Sequence, residues 1–312
     1  MQEAESKWIS RSAFVAVAAA YAACFEILRY LSFSHWNLMA GLRFAALLMV
    51  PRRYWPALLL GEWIPLIEIA VFNSEAFGLD WALCVGVPII ALSMPVVALG
   101  RRTMAVPYRH DGEVNVPGLV VLALACSLIT ATCNSFCLMM VPPAGHGEWP
   151  AFDAGRAFTT YFLGAYPGAL ALAPTIIVLK EAMTAQGSRA WRAAWKRPST
   201  IALVTASVAL WVAATMLAPS MHGAPRQLMR MSTALPVLAF TLRFGWKGAA
   251  LAGFLADVAM AYTNTTLPDV SMHAPKAVLA LVVSGALLAG LPITRWRKTR
   301  ARSAPSRCAT SR

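Results

Sequence analysis

Ten apolar runs, each between about 15 and 26 residues long, follow one another along this chain with mostly short polar turns between them. Crossing the hydrocarbon core of a bilayer takes about 20 mainly apolar residues, with about 17–25 usual. Inside lipid the backbone must satisfy its own hydrogen bonds, which leaves helices or closed barrels as spanning structures. Runs of this length select helices. The runs are Ser12–Leu31, Trp36–Val50, Tyr54–Phe72, Trp81–Leu99, Val116–Val141, Ala157–Leu179, Thr200–Ala218, Met229–Phe244, Gly248–Tyr262 and Ala274–Ile293. The second is short and is stopped by Pro51. The eighth is the weakest span and could be re-entrant. The expected fold is therefore all-α, a polytopic integral membrane helical bundle of about 8–10 transmembrane helices.

Composition agrees. Of 312 residues, 58% are hydrophobic and 13% charged, against about 25% charged in a typical soluble domain. The expected organisation is a cytoplasmic segment at 1–11, a membrane domain over 12–293 and a disordered basic tail over 294–312. Lys7 and Arg11 before an apolar run that contains Cys24 resemble a secretion signal. Tyr21 is a poor residue three positions before that cysteine, and the apolar character continues past it, so an uncleaved anchor is expected.

The net charge of +13 does not indicate nucleic acid. Its cations fall in short turns and in the tail RWRKTRARSAPSRCATSR, the positive-inside pattern that suits anionic lipid. With both termini cytoplasmic, the outer loops hold only Arg156, Arg226, Arg230 and Lys276. The insert between Lys180 and Pro198 carries Trp191, Trp195 and several cations, as an amphipathic interfacial helix would.

Within this frame the hairpin HWNLMAGLRFAALLMVPRRYWPALLLGEWI, His35 to Ile64, concentrates the chemistry. Arg43 lies before its turn and Glu62 after it, each roughly nine or ten positions from Arg52, or about 14–15 Å along a helix. The two should reach the same depth. Charge in lipid is costly, so such residues face the protein interior and find partners. Either the pair fixes helix register or Arg43 is the charged end of a ligand pocket. Asp257 and Glu68 add acids to the expected network, with Thr130, Thr132, Asn134 and Ser135 as hydrogen-bonding candidates. Glu26 and Arg29 form a local pair on one face of the first run. Arg52, Arg53 and Trp55, and again Arg243 and Lys247, mark two cytoplasmic turns suited to signalling. Those turns belong to an internal echo in which an aromatic–cation turn precedes a span with an acid about ten residues in, Glu62 or Asp257. A parallel repeat of that kind can build a central site.

Other motifs read as packing. Cys126, Cys133 and Cys137 share one helical face, and no pair among the six cysteines has zinc-ligand spacing. His35, His146, His222 and His273 fall in outer loops without ligand spacing, so no metal is expected. Gly164, Ala165 and Gly168 suit close helix contact rather than a phosphate loop. No catalytic constellation is present, so no enzyme activity and no cofactor are expected.

Three blocks resemble the signature of a known family: GLRFAALLMVPRRYWPALLLGE, YFLGAYPGALALAP and LPVLAFTLRFGWKGAALAGF, in this order. Over about Ser12 to Leu291 the chain is similar to the first class of membrane-associated sensor domains, the MASE family of bacterial signalling proteins. The resemblance implies a helical module of about eight to ten spans, fused in the family to histidine kinase, diguanylate cyclase or phosphodiesterase domains. After Ile293 only the basic tail follows, so the expected partner is a separate kinase or cyclic-dinucleotide signalling protein. The implied function is an inner-membrane sensory module for a small ligand, an anion among the candidates. The alternative is a secondary transporter or permease using Arg43, Glu62 and Asp257. The sequence names neither the ligand nor the oligomeric state.

Overall fold

The structure, a computed structural model, describes residues 2–32, 36–141, 153–183, 196–263 and 270–303. The described residues are overwhelmingly helical. In chain order the helices are α1 Gln2–Leu31, α2 Leu38–Met49, α3 Trp55–Phe77, α4 Leu79–Val85, α5 Ile89–Thr103, α6 Val116–Met139, α7 Ala154–Ala182, α8 Pro198–Leu217, α9 Ala224–Ser232, α10 Leu235–Phe244, α11 Trp246–Ala261 and α12 His273–Ser303. Among the described residues seven segments are long and apolar enough to cross a membrane, α4 and α5 counting together as one. The chain is a polytopic helical membrane protein. Its large exposed side chains, such as Val71, Phe72, Leu99 and Leu281, are the apolar surface that lipid covers.

The expected ten runs resolve into those seven segments and shorter pieces, and the reason is helix length. α2 has 12 residues, about 18 Å at the helical rise, and α10 has 10, about 15 Å. Neither reaches across about 30 Å of hydrocarbon alone. The chain before α2 runs in irregular backbone, with Trp36 6% and Asn37 5% exposed. Such backbone is tolerated at depth where protein covers it. Asn37 accepts a hydrogen bond from the Ala40 amide and caps α2, while its own amide donates to Gly164 O. At the other end Arg101 donates to the carbonyls of Leu47 and Val50, satisfying acceptors that a helix C-terminus leaves open.

The eighth run divides into α9 and α10, which begins at Leu235 ahead of Pro236. The tail expected to start at Thr294 is helical as far as Ser303; 304–312 lie outside the described residues. So do 184–195, with Trp191 and Trp195, and the histidines His35 and His146.

Two compact units make up the chain, one of Met1–Ala173 and Asn264–Ala277, the other of Pro174–Thr263 and Val278–Arg312. In the first, α1 packs along α3, α2 touches α1, α5 and α6, and α4 lies against α3 and α6. In the second, α10 and α11 form a hairpin and both contact α8. Each unit thus holds a short helix, a tight turn with an aromatic residue and a cation, and a longer helix carrying a buried acid. Glu62 is 0% and Asp257 1% exposed.

Candidate functional site

The site in the first unit begins with a break. Gly86 ends α4, Pro88 precedes Ile89, and a new helix starts there. The first amides of a helix have no partner within it, and the helix end carries partial positive charge. The Glu62 carboxylate fills that need. Its Oε1 accepts from the Ile90 amide at 3.2 Å and from Arg43 Nε at 3.0 Å. Its Oε2 accepts from the Tyr21 hydroxyl at 3.0 Å. Four helices, α1, α2, α3 and α5, therefore meet on one buried carboxylate.

Arg43 is 4% exposed, ion-paired through Nε to Glu62, with the Phe25 ring 5.6 Å from its guanidinium carbon. Its Nη1 is buried and has no hydrogen-bond partner. An unsatisfied buried donor costs about 1–3 kcal/mol, more when charged. Arg43 also lines a cavity of about 760 Å³, within the size range of small-molecule pockets. Most of the wall is apolar, including Phe25, Leu66, Leu83, Ile89 and Phe136. The arrangement is an apolar chamber with Arg43 in its wall, a guanidinium that is ion-paired through Nε and unpartnered at Nη1. A ligand with an acceptor group and an apolar body fits that chemistry.

The other expected site residues fall as follows. Glu68, one and a half turns beyond Glu62 on α3, is exposed and stands outside the buried pair, which corrects its expected place in the network; six positions rotate it to another face of the helix. Asp257 is buried in α11 of the second unit. Thr130 and Thr132 donate to the carbonyls of Cys126 and Leu128 in their own helix rather than to an acid. Ser135 Oγ is buried without a partner, and Asn134 lines the cavity. Glu26 and Arg29 do pair, Arg29 Nε donating to Glu26 Oε2 at 2.8 Å.

At the turns, Arg52 donates to Ala98 O at 2.7 Å, and Arg52 and Arg101 both lie over the Trp55 ring. Arg53 stacks over Tyr54. In the second unit Arg243 donates to Ser199 Oγ and Thr200 Oγ1, and Lys247 pairs with Glu181 at 2.6 Å. Both turns are tied to a neighbouring helix.

Three residues escaped the sequence reading. Tyr21 was weighed only against a cleavage site, yet it lies three positions before Cys24 on the face of α1 that meets α3. Arg230 and Lys276 were counted as outer-loop cations, but they are 0% and 1% exposed. Arg230 donates to Thr263 Oγ1 and O. The strong segregation of polar and apolar residues along α9 was the available signal for Arg230. Among the described residues no group of three or more His, Cys, Asp or Glu side chains could hold a metal ion. His273 Nε2 and Thr160 Oγ1 are 2.8 Å apart.

The fold and this chamber define a multi-pass helical membrane protein with a small-molecule-sized cavity lined by one member, Arg43, of a buried ion pair. The MASE1 family model matches residues 10–271, and the chain belongs to the MASE1 family of membrane sensor domains. It is 28% identical over 272 residues to the signal transduction histidine-protein kinase/phosphatase UhpB of Salmonella typhimurium, an alignment covering 83% of this chain and 47% of that protein. The chain thus spans about half the length of that curated relative. No solved structure matches it significantly.

Proposed function

We propose that this chain is the perceiving part of a bacterial inner-membrane signalling system. A small molecule enters the cavity of the first unit, and its acceptor group, an anion or a carbonyl, bonds Nη1 of Arg43. The altered packing of α1, α2, α3 and α5 around Glu62 passes to the turn at Arg52 and Arg53 and then to a cytoplasmic partner of the histidine-kinase class. The chain performs no catalysis in this reading. The observation that carries it is that Arg43 lines the chamber and that its Nη1 is buried without a partner. Membership of a sensor family and likeness to a protein named as a kinase/phosphatase support the signalling role. A ligand shifts such a bundle only by as much as it prefers one packing to another.

The test is thermal unfolding of the protein in lipid nanodiscs against carboxylates, sugar phosphates and uncharged carbonyl compounds. Met39→Trp fills the cavity from one turn before Arg43 and leaves the Arg43–Glu62 pair in place. One ligand class should raise the Tm of the wild type and not of Met39→Trp. At 100 times Kd, binding contributes about 2.7 kcal/mol. A shift of equal size in Met39→Trp, or none for any class, overturns the reading. Uptake of the stabilising ligand into proteoliposomes would assign the cavity to transport instead.

A further inference from the structure

Three thiols line the same chamber: Cys84 from α4, and Cys133 and Cys137 one turn apart on α6. All three are free thiols. Cys84 and Cys137 line the same chamber from α4 and α6, which pack against each other. Cys126 shares their face of α6 but is buried and does not line the cavity. The face read as packing is therefore divided, with one thiol in the core and two on the chamber wall.

The wall limits the ligand. Glu62 already neutralises Arg43, so a full anion would bring net charge into an apolar chamber, which is costly to bury without a counter-charge. A carbonyl oxygen satisfies Nη1 and brings none. The rest of the ligand meets aliphatic and aromatic side chains. Two neighbouring thiols add the capacity to give up two electrons. A carbonyl-bearing, lipid-soluble, two-electron oxidant is a quinone.

We propose that this chamber takes a membrane quinone, one ring carbonyl on Nη1 of Arg43, and that the quinone oxidises the Cys84–Cys137 pair. The proposal rests on the chamber being the ligand site. In the reaction the two S–H bonds break and one S–S bond forms. The thiols give up two protons and two electrons, and the quinone takes all four to become the quinol. No other reactant is needed. The disulfide ties α4 to α6 and so fixes the chamber wall, and the quinol leaves with its electrons.

The experiment uses the full chain in nanodiscs, reduced, desalted and mixed anaerobically with decylubiquinone, whose fully substituted ring has no open carbon for thiol addition. Quinol is read by absorbance, and the cross-link by peptide mass spectrometry without reduction. The expected result is one quinol per chain and a Cys84–Cys137 disulfide. Cys84→Ala and Cys137→Ala each lose both, whereas Cys126→Ala and Cys133→Ala keep both. A cross-link through Cys133 overturns the assigned pair. Stabilisation by the quinone without quinol or cross-link overturns the redox step and leaves the chamber as a ligand site. Stabilisation by decanoate and not by decylubiquinone overturns the quinone while that site stands. No shift with either, in wild type or Met39→Trp, takes down the ligand site and the quinone together.

Discussion

Glu62 has three donors, and Arg43 has one nitrogen, Nη1, that its surroundings do not use. This imbalance sets what substitution should do. Glu62→Gln leaves a buried cation without its counter-charge, and breaking a buried pair from one side costs about 3–5 kcal/mol. Tyr21→Phe removes one of three contacts to a charged group, worth about 1.5–3 kcal/mol. The double change Arg43→Met with Glu62→Leu removes both charges together and should recover most of the loss from Glu62→Gln. Chemical unfolding in detergent gives the order. If Glu62→Gln proves milder than Tyr21→Phe, the pair is not the centre of the unit. The pair itself was legible in the sequence because a tight turn sets two residues at equal depth by counting. Tyr21 and the Ile90 amide were not, since one comes from a helix distant in sequence and the other exists only because α4 and α5 separate at Gly86–Pro88.

Helix contacts follow the same division. Gly164, Ala165 and Gly168 were readable as a close-packing stripe; all three are buried, and Gly168 lies against backbone. A Cβ on Gly168 would lie 2.5 Å from Asn37 O, and one on Gly41 would lie 2.5 Å from Gly168 O. Between α1 and α3, a Cβ on Gly61 would meet Ala18 O at 2.5 Å. The obstructing atoms are backbone, which cannot swing aside. Gly41→Val and Gly61→Val should each cost about 1–3 kcal/mol by overpacking. Gly285 has open space around the same position, and Gly285→Ala should be neutral or stabilise by up to about 1 kcal/mol. Melting temperatures of the three variants settle the comparison, and equal effects would mean that helix propensity rather than contact governs them. Hydropathy alone could not separate a spanning run from a half-length one. It counts apolar side chains and is blind to a cap such as Asn37 that starts a helix at depth.

At the scale of the molecule, the burial of two cations sharpens the topology. The outer-side Lys and Arg were Arg156, Arg226, Arg230 and Lys276. Arg230 and Lys276 are enclosed by protein and contribute no surface charge, which leaves Arg156 and Arg226. The expected cytoplasmic side holds the exposed Arg52, Arg53 and Arg102 with half-buried Arg101 of the first unit, and Lys247 with its partner Glu181 of the second. The orientation rule weighs cations near span ends, and a count without the enclosed pair is more lopsided than the sequence suggested. Both termini should therefore be cytoplasmic. Asp111, in the exposed turn after α5, and His222, exposed before α9, give one marker in each unit. In a background without native cysteines, Asp111→Cys should react with an impermeant maleimide only after cells are permeabilised. His222→Cys should react in intact cells, once the outer membrane admits the reagent. The reverse pattern would invert the protein. It would set the turns at Arg52 and Lys247 on the outer face, where no cytoplasmic kinase could read them.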